Sequence, residues 1–375
     1  MLVPFIGYFV LAMFRLSIGI IIPEVMSEFK ITETFGGALL SSFLCAIAIM
    51  VIYGGRISDR FGKKITISIG STIASFGIIL GSYSNGYWIL VISFFIAGTG
   101  AGIFIAGLYG FVGETIPSMR GTLLGFTISS FAIGGFIGPF VSAIFILKFG
   151  WRSPFQFIGI LILLLSIFSW LNVKGEFRKS LFNKEPKTRA LIFLKDTRII
   201  YLCLAFGFAN FAFAAFAAWA PSYLISIGNL NLSEAGFSFG LFSLIGAIGA
   251  TFFGIISDKF GRKSSLMASG IFASILSLLY FSGHVSSIIL IIFTGAIGFA
   301  SYPPANLIIS ATQDLVDNHS IGSATGFTFS IGMIGGAFAP TISGFLISNY
   351  GFNFALILSV AIFYFIYTII VSKAI

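Results

Sequence analysis

Charge is what this sequence has least of. Only 9% of its residues are Asp, Glu, Lys or Arg, against roughly 25% in an average soluble domain. So few ionic side chains cannot wet the outside of a 40.3 kDa globule. A water-soluble domain is therefore excluded, and so is a disordered chain, which needs low hydropathy and high charge. Cysteine is nearly absent. Cys45 and Cys203 sit inside apolar runs without metal-ligand spacing, so neither a disulfide framework nor a zinc site follows. The two histidines, His284 and His319, fall in connectors. No Ser/His/Asp or Cys/His constellation lies at membrane depth, so an enzyme is not expected, and neither is a metal or a cofactor. The N-terminus lacks a basic n-region and an A-x-A-like site, so the first apolar run is expected to be kept rather than cleaved.

What the sequence does have is apolar length. Hydrophobic residues make up 57% of 375 positions, with 47 Phe and 44 Gly, and mean hydropathy is +1.06. A helix crossing ~30 Å of hydrocarbon needs about 20 apolar residues, which allows roughly a dozen spans here. The apolar runs predict spans over 4–22, 35–54, 65–83, 88–112, 123–147 and 154–173. A second set follows over 199–224, 235–257, 264–282, 286–312, 322–347 and 352–371. Barrel strands would leave a weaker ten-residue rhythm. The expected fold is an all-α membrane protein of twelve transmembrane helices.

Most of the 21 basic residues gather on one side of that arrangement. Arg56, Arg60, Lys63, Lys64, Arg120, Lys259, Arg262, Lys263 and Lys373 occupy even-numbered connectors and the tail, and the stretch 174–198 adds more. The opposite side carries Lys30, Lys148 and Arg152. The positive-inside rule places the basic side, with both termini, in the cytosol of a multi-pass plasma-membrane protein. The net charge of +9 is then explained by topology and anionic headgroups, and no nucleic-acid partner is expected. Residues 174–198 form the one long connector. They divide the chain into domains 1–173 and 199–375, and their F-R-K-S-L-F and A-L-I-F-L stretches read as linker or as interfacial helices.

An internal repeat ties the two sets together. Gly55-Arg56-Ile57-Ser58-Asp59-Arg60-Phe61-Gly62-Lys63-Lys64 follows the second span, and Gly254-Ile255-Ile256-Ser257-Asp258-Lys259-Phe260-Gly261-Arg262-Lys263 follows the eighth, 199 positions later. Pro23 and Pro221, expected to end spans one and seven, stand 198 apart; Gly138-Pro139 and Ala339-Pro340 stand 201 apart. Two pseudo-symmetric six-helix bundles in parallel orientation are expected.

The ten-residue blocks fit G-x-x-x-D-[RK]-x-G-[RK]-[RK], and the chain resembles the major facilitator superfamily on their account. Glu114-Thr115-Ile116-Pro117-Ser118-Met119-Arg120-Gly121 adds an E-x-x-P-x-x-x-R-G pattern after span four. The resemblance implies alternating access around a midplane site, with spans 1, 4, 7 and 10 lining the cavity. It also implies that Gly55, Asp59, Arg60, Gly62, Gly254, Asp258, Lys259, Gly261, Glu114 and Arg120 control the conformational change. Physically, Gly55 and Gly254 leave room for a neighbouring helix, and Asp59 and Asp258 can face a helix N-terminus. Gly62 and Gly261 can take positive φ in the turn.

Arg15 is the main candidate for substrate. It lies about 16 Å along a helix from Pro4, near mid-membrane, where an arginine costs roughly 2.5–3.5 kcal/mol. Its planar fork suits carboxylate, sulfate or phosphate, and Tyr8 lies two turns below on the same face. Thr99, Asn210, Trp219, Tyr302 and Asn306 are further candidates on lining spans, with Tyr302-Pro303-Pro304 expected to interrupt span ten. No Asp, Glu or His falls in the central part of any span. Glu114 is thus the nearest candidate for proton coupling, and exchange of anions or uniport is favoured over proton symport. The sequence therefore reads as a secondary active transporter for a small organic anion such as a carboxylate, with a counter-transported anion or a proton as co-substrate, acting as a monomer in the bilayer. An exporter of amphipathic or neutral compounds, a sugar transporter and a membrane sensor are the alternatives.

Overall fold

The computed structural model describes residues 3–115, 120–171, 196–283, 286–316 and 321–374; side chains at 59, 113–115, 120–122, 124 and 321–323 are not described. The expected linker up to residue 195, both histidines and the side chains of Asp59, Glu114 and Arg120 therefore lie outside the description. Every regular element among the described residues is helical, and twelve helical stretches are long and apolar enough to cross a membrane.

The first six are α1 (Val3–Phe29), α2 (Glu33–Phe61), α3 (Lys63–Ser82), α4 (Tyr87–Thr115), α5 (Arg120–Phe149) and α6 (Ser153–Leu171). Then follow α7 (Thr197–Ser226), α8 (Leu232–Phe260), α9 (Arg262–Tyr280), α10 (Ser287–Ser301), α11 (Pro303–Asp314) and α12 (Ile321–Ala337). The last are α13 (Ala339–Tyr350), α14 (Phe352–Leu356), a π-helical turn at Ile357–Ile362, and α15 (Phe363–Ala374).

Pro23 and Pro221 do not end their helices as the sequence suggested; both lie inside, in α1 and α7. A proline removes one bond to the i−4 carbonyl, and so near a helix end the remaining ladder carries the helix on. The paired Pro303 and Pro304 do interrupt the tenth span, at Tyr302. Pro303 releases the Phe299 carbonyl, and that oxygen seats against the bare Cα of Gly249, where a Cβ would collide with it. The π-helical turn, which the sequence did not announce, widens the ladder at a carbonyl that accepts Ser274 Oγ from α9 (Ala361 O, 2.9 Å).

Sharp reversals come from glycine. Gly62 (φ 89°) and Gly261 (φ 88°) take a conformation that strains any L side chain. Each donates its N–H back to the helix it ends, to Ser58 O at 2.9 Å and Ser257 O at 3.0 Å, and so closes one helix while starting the next.

The chain divides into two compact units. The first holds Met1–Ile31, Ala38–Asn183 and Leu232–Gly240; the second holds Thr32–Gly37, Lys184–Asn231 and Leu241–Ile375. In the first, small residues let helices touch backbone to backbone, which replaces the hydrophobic drive that lipid does not supply. Gly100 and Gly70 join α4 and α3, and Gly98 presses on the Phe43 carbonyl of α2. Gly134 and Gly138 bring α5 against the Phe9 and Met13 carbonyls of α1. Phe14, Phe43, Phe94 and Phe155 fill the core as a cluster with centroids 5.6–5.8 Å apart. The start of α8 belongs here too, its Phe237 set against Phe136 and Phe140 of α5.

The second unit buries hydroxylated aromatics instead. Tyr223 Oη donates to Tyr280 O (3.2 Å), Tyr367 Oη to Leu266 O (3.1 Å) and Trp219 Nε1 to Pro340 O (3.0 Å). The start of α2 packs in this unit, with Gly37 on the Pro340 carbonyl and Ser348 Oγ donating to Glu33 Oε2 at 2.7 Å.

Candidate functional site

Arg15 lies near the middle of α1 and is half-buried. Its guanidinium carbon stands 5.7 Å from the centroid of Phe131, within the range of cation–π attraction. Phe131 reaches that place because Gly134, one turn on, lets α5 close on α1. The same ring lies 5.5 Å from Tyr8, tilted by 37°, so one aromatic side chain of α5 bridges the two residues that the sequence placed on one face of α1. The Tyr8 phenol lies within reach of that of Tyr109 on α4, which is 41% exposed. A cation, a phenyl ring and two phenols from three helices thus converge. Phe131 and Tyr109 were not singled out from the sequence. Only the helix packing brings them to Arg15, and the one sequence signal was the Gly134-x-x-x-Gly138 spacing beside Phe131.

The other candidates divide. Thr99 is half-buried on α4, and its hydroxyl donates to the Phe95 carbonyl of its own helix at 2.9 Å. In the second unit Asn210 Nδ2 points at Met333 Sδ, 3.8 Å away, and Asn306 is half-buried. Tyr302 donates to Ser243 Oγ at 2.9 Å and packs edge-on to Phe213 and Phe242. Trp219 corrects the expectation. It is 0% exposed, its N–H is held by Pro340 O, and its ring meets Phe352, so it serves packing and has no open face.

The repeated blocks are equally specific. Asp258 does not cap α9, whose N-cap is Gly261; its carboxylate pairs with Arg262 Nη1 at 3.0 Å. Arg262 also reaches Asp314 through Nε (3.2 Å) and Ser257 Oγ through Nη1 (2.9 Å), tying the ends of α8, α9 and α11. Arg262 and Asp314 were missed as site residues, although Asp314 lies 200 positions beyond Glu114 and the repeat could have revealed it. Gly55 and Gly254 have no described atom within 4 Å of a would-be Cβ, so no neighbouring helix presses on them here. Arg60 lies 5.3 Å from Phe61, and Lys259 is exposed.

A sequence profile of the Major Facilitator Superfamily matches residues 4–340 and 229–374. The chain is 26% identical over 360 residues to a hexuronate transporter of Bacillus subtilis, covering 90% of this chain and 85% of that protein. It is 26% identical over 357 residues to the quinolone resistance protein NorA of Staphylococcus aureus (91% and 89% covered). To a probable sulfoacetate transporter, SauU, of Cupriavidus necator it is 23% identical over 381 residues (92% and 86%). The fold is similar to the crystal structure of a bacterial homologue of the human lysosomal transporter Spinster, in an inward-facing and occupied conformation. That likeness has a TM-score of 0.83 at 14% identity and covers 100% of this chain and 96% of the other. Twelve apolar helices, duplicated G-x-x-x-D loops and a match along almost the whole chain lead to one conclusion: the protein belongs to the Major Facilitator Superfamily.

Proposed function

We propose that this chain carries small organic anions across the cell membrane by alternating access, with the carboxylate held by Arg15. One observation carries the reading: an always-charged, planar donor fork placed half-buried at the middle of a membrane helix, over the face of Phe131. Water would solvate such a group better than this surrounding does, and an anion offsets that penalty. Two relatives bear names of anion transporters, for hexuronate and sulfoacetate. Domains 1–173 and 199–375 are the working halves joined by 174–198, the basic connectors and both termini face the cytosol, and the functional unit is a monomer. Asp59, Arg60 and Gly62 act in the switch together with Asp258, Lys259, Gly261 and the Arg262–Asp314 pair. Asp258→Asn should leave anion affinity within twofold of wild type while slowing flux. The substrate leaves the cycle chemically unchanged.

Exchange of one anion for another, or uniport, fits a chain without a carboxylate or histidine in the central part of any span. Proteoliposomes loaded with unlabelled carboxylate should take up labelled carboxylate at least tenfold faster than empty ones. Arg15→Ala should abolish that counterflow. Uphill uptake driven by a pH gradient alone, and lost in Glu114→Gln, would replace exchange by proton symport through Glu114. A second reading, export of amphipathic compounds, draws on the likeness to NorA; it predicts that hydrophobic cations bind and that Arg15→Ala leaves their flux unchanged.

A further inference from the structure

We infer that the anion taken at Arg15 is an arenecarboxylate, with a flat apolar body, rather than a hydroxyl-rich sugar acid. This inference rests on the anion reading above. The described side chains beside Arg15 are aromatic. Phe131 presents its ring to the guanidinium at 5.7 Å and to Tyr8 at 5.5 Å.

Part of the hydroxyl donor capacity nearby is already engaged. The Tyr8 and Tyr109 phenols lie within reach of each other, and such a pair uses one of its two protons. On α5, Ser130 donates to Phe126 O at 2.7 Å and Thr127 to Leu123 O at 2.9 Å, so both hydroxyl protons are spent inside the helix. Ser129 lies two positions from Phe131 and so does not share its face. A sugar acid brings several hydroxyls, and each one buried without a partner lowers affinity. An arene needs none of them. Its ring can lie against Phe131 and Tyr8 in the offset or edge-on geometries that aromatic pairs prefer, while its carboxylate takes the two parallel N–H donors of Arg15.

Phe131 then has two duties. It fixes the guanidinium in direction and supplies the platform for the ring. A leucine at this position would keep an apolar side chain between α1 and α5 but remove the π-face.

The experiment is titration calorimetry of the full-length protein in nanodiscs with benzoate, glucuronate and, as an uncharged control, benzyl alcohol. Wild type should bind benzoate at least tenfold more tightly than glucuronate and should bind benzyl alcohol weakly. Phe131→Leu should weaken benzoate about tenfold and glucuronate less than threefold, and Phe131→Tyr should restore benzoate. Arg15→Ala should lose both acids. If glucuronate binds as tightly as benzoate and both depend on Arg15, the aromatic inference falls and the anion reading stands. If benzoate is unaffected by Phe131→Leu, the inference falls likewise. If neither acid binds wild type, or if Arg15→Ala binds both as well as wild type, the anion reading falls and takes this inference with it. Benzyl alcohol binding as tightly as benzoate would do the same.

Discussion

Carried along α1 and α7 at the 198-residue offset of Pro23 and Pro221, the repeat sets Phe213 opposite Arg15 and Phe206 opposite Tyr8, and 201 beyond Phe131 stands Gly332. The backbone around these positions obeys one rule in both units. Gly134 meets the Phe9 carbonyl in the first, and Gly335 meets the Gly207 carbonyl in the second. The turns repeat as well: Gly62 with Gly261, and Gly150 (φ 83°) with Gly351 (φ 79°). What differs is the chemistry laid over that frame. The first unit puts a cation beside aromatic rings, whereas the second puts two phenylalanines and a glycine in the matching places. The duplicated sequence preserves what a membrane helix needs to pack, and sets a mid-helix arginine in one copy alone. Fold and site are thus separable here, as they are across families that share a scaffold.

Breaking the shared rule should give the largest effect. A Cβ at Gly134 or Gly335 collides with backbone that cannot swing aside, so Gly134→Ala and Gly335→Ala should each destabilise by about 1–3 kcal/mol. The matched pair Gly125 and Gly326 faces open space. Gly125→Ala and Gly326→Ala should be neutral or stabilising by up to about 1 kcal/mol, from helix propensity. Thermal unfolding in detergent, read by tryptophan fluorescence, checks all four. Equal losses at both pairs would mean that close approach is not what the repeated spacing secures.

A smaller effect separates the units at the ends opposite the basic connectors. In the first, Glu28 receives Arg152 in bidentate fashion (2.7 and 2.8 Å) and the indole N–H of Trp151, and Arg152 also donates to Ser84 O at 2.9 Å. The repeat-equivalent of Arg152 is Asn353, whose amide lies against Gly283, the equivalent of Ser84, while its Oδ1 finds no partner among the described residues. The ionic clasp is partly exposed, at 31% and 42%, so screening limits it to about 0.5–1 kcal/mol. Arg152→Gln should cost that much in 20 mM salt and less in 500 mM. Asn353→Ala should change stability by under about 0.5 kcal/mol at either salt.

The smallest effect is local and pH-dependent. Asp196 accepts the Arg198 side chain at 2.9 and 3.2 Å and its backbone N–H at 2.9 Å, capping α7. Those hydrogen bonds hold its carboxyl below the ordinary carboxylate range. A depressed folded value means the cap's contribution is complete above the ordinary carboxylate pKa and is lost as pH falls through the depressed one. The amide resonance of Arg198 should therefore titrate below the ordinary aspartate range and stop titrating there in Asp196→Asn.

Much of this frame was legible in the sequence. Apolar run length set the spans, a double proline set the break at Tyr302, and duplicated glycines set the turns, because each of these acts through the backbone of its own segment. The site was legible only as far as one helix carries it. Arg15 and Tyr8 share a face of α1 and could be paired by period alone. Phe131 and Tyr109 come from α5 and α4, and only the Gly134-x-x-x-Gly138 spacing beside Phe131 points toward either. Trp219 misled for the complementary reason: a polar-tipped aromatic on a lining span reads the same whether its N–H meets a cavity or, as here, the carbonyl of Pro340. The clasp at Glu28 joins residues more than 120 positions apart, and charge counting could assign them only to a side.

The central claim is that charge recognition resides in the first unit, at Arg15. Calorimetric titration of benzoate into wild type, Arg15→Lys and Arg15→Ala measures this directly. The lysine variant keeps the charge and loses the fork, so affinity should fall at least tenfold, and the alanine variant should show no heat of binding. Equal affinity in all three proteins would contradict the account.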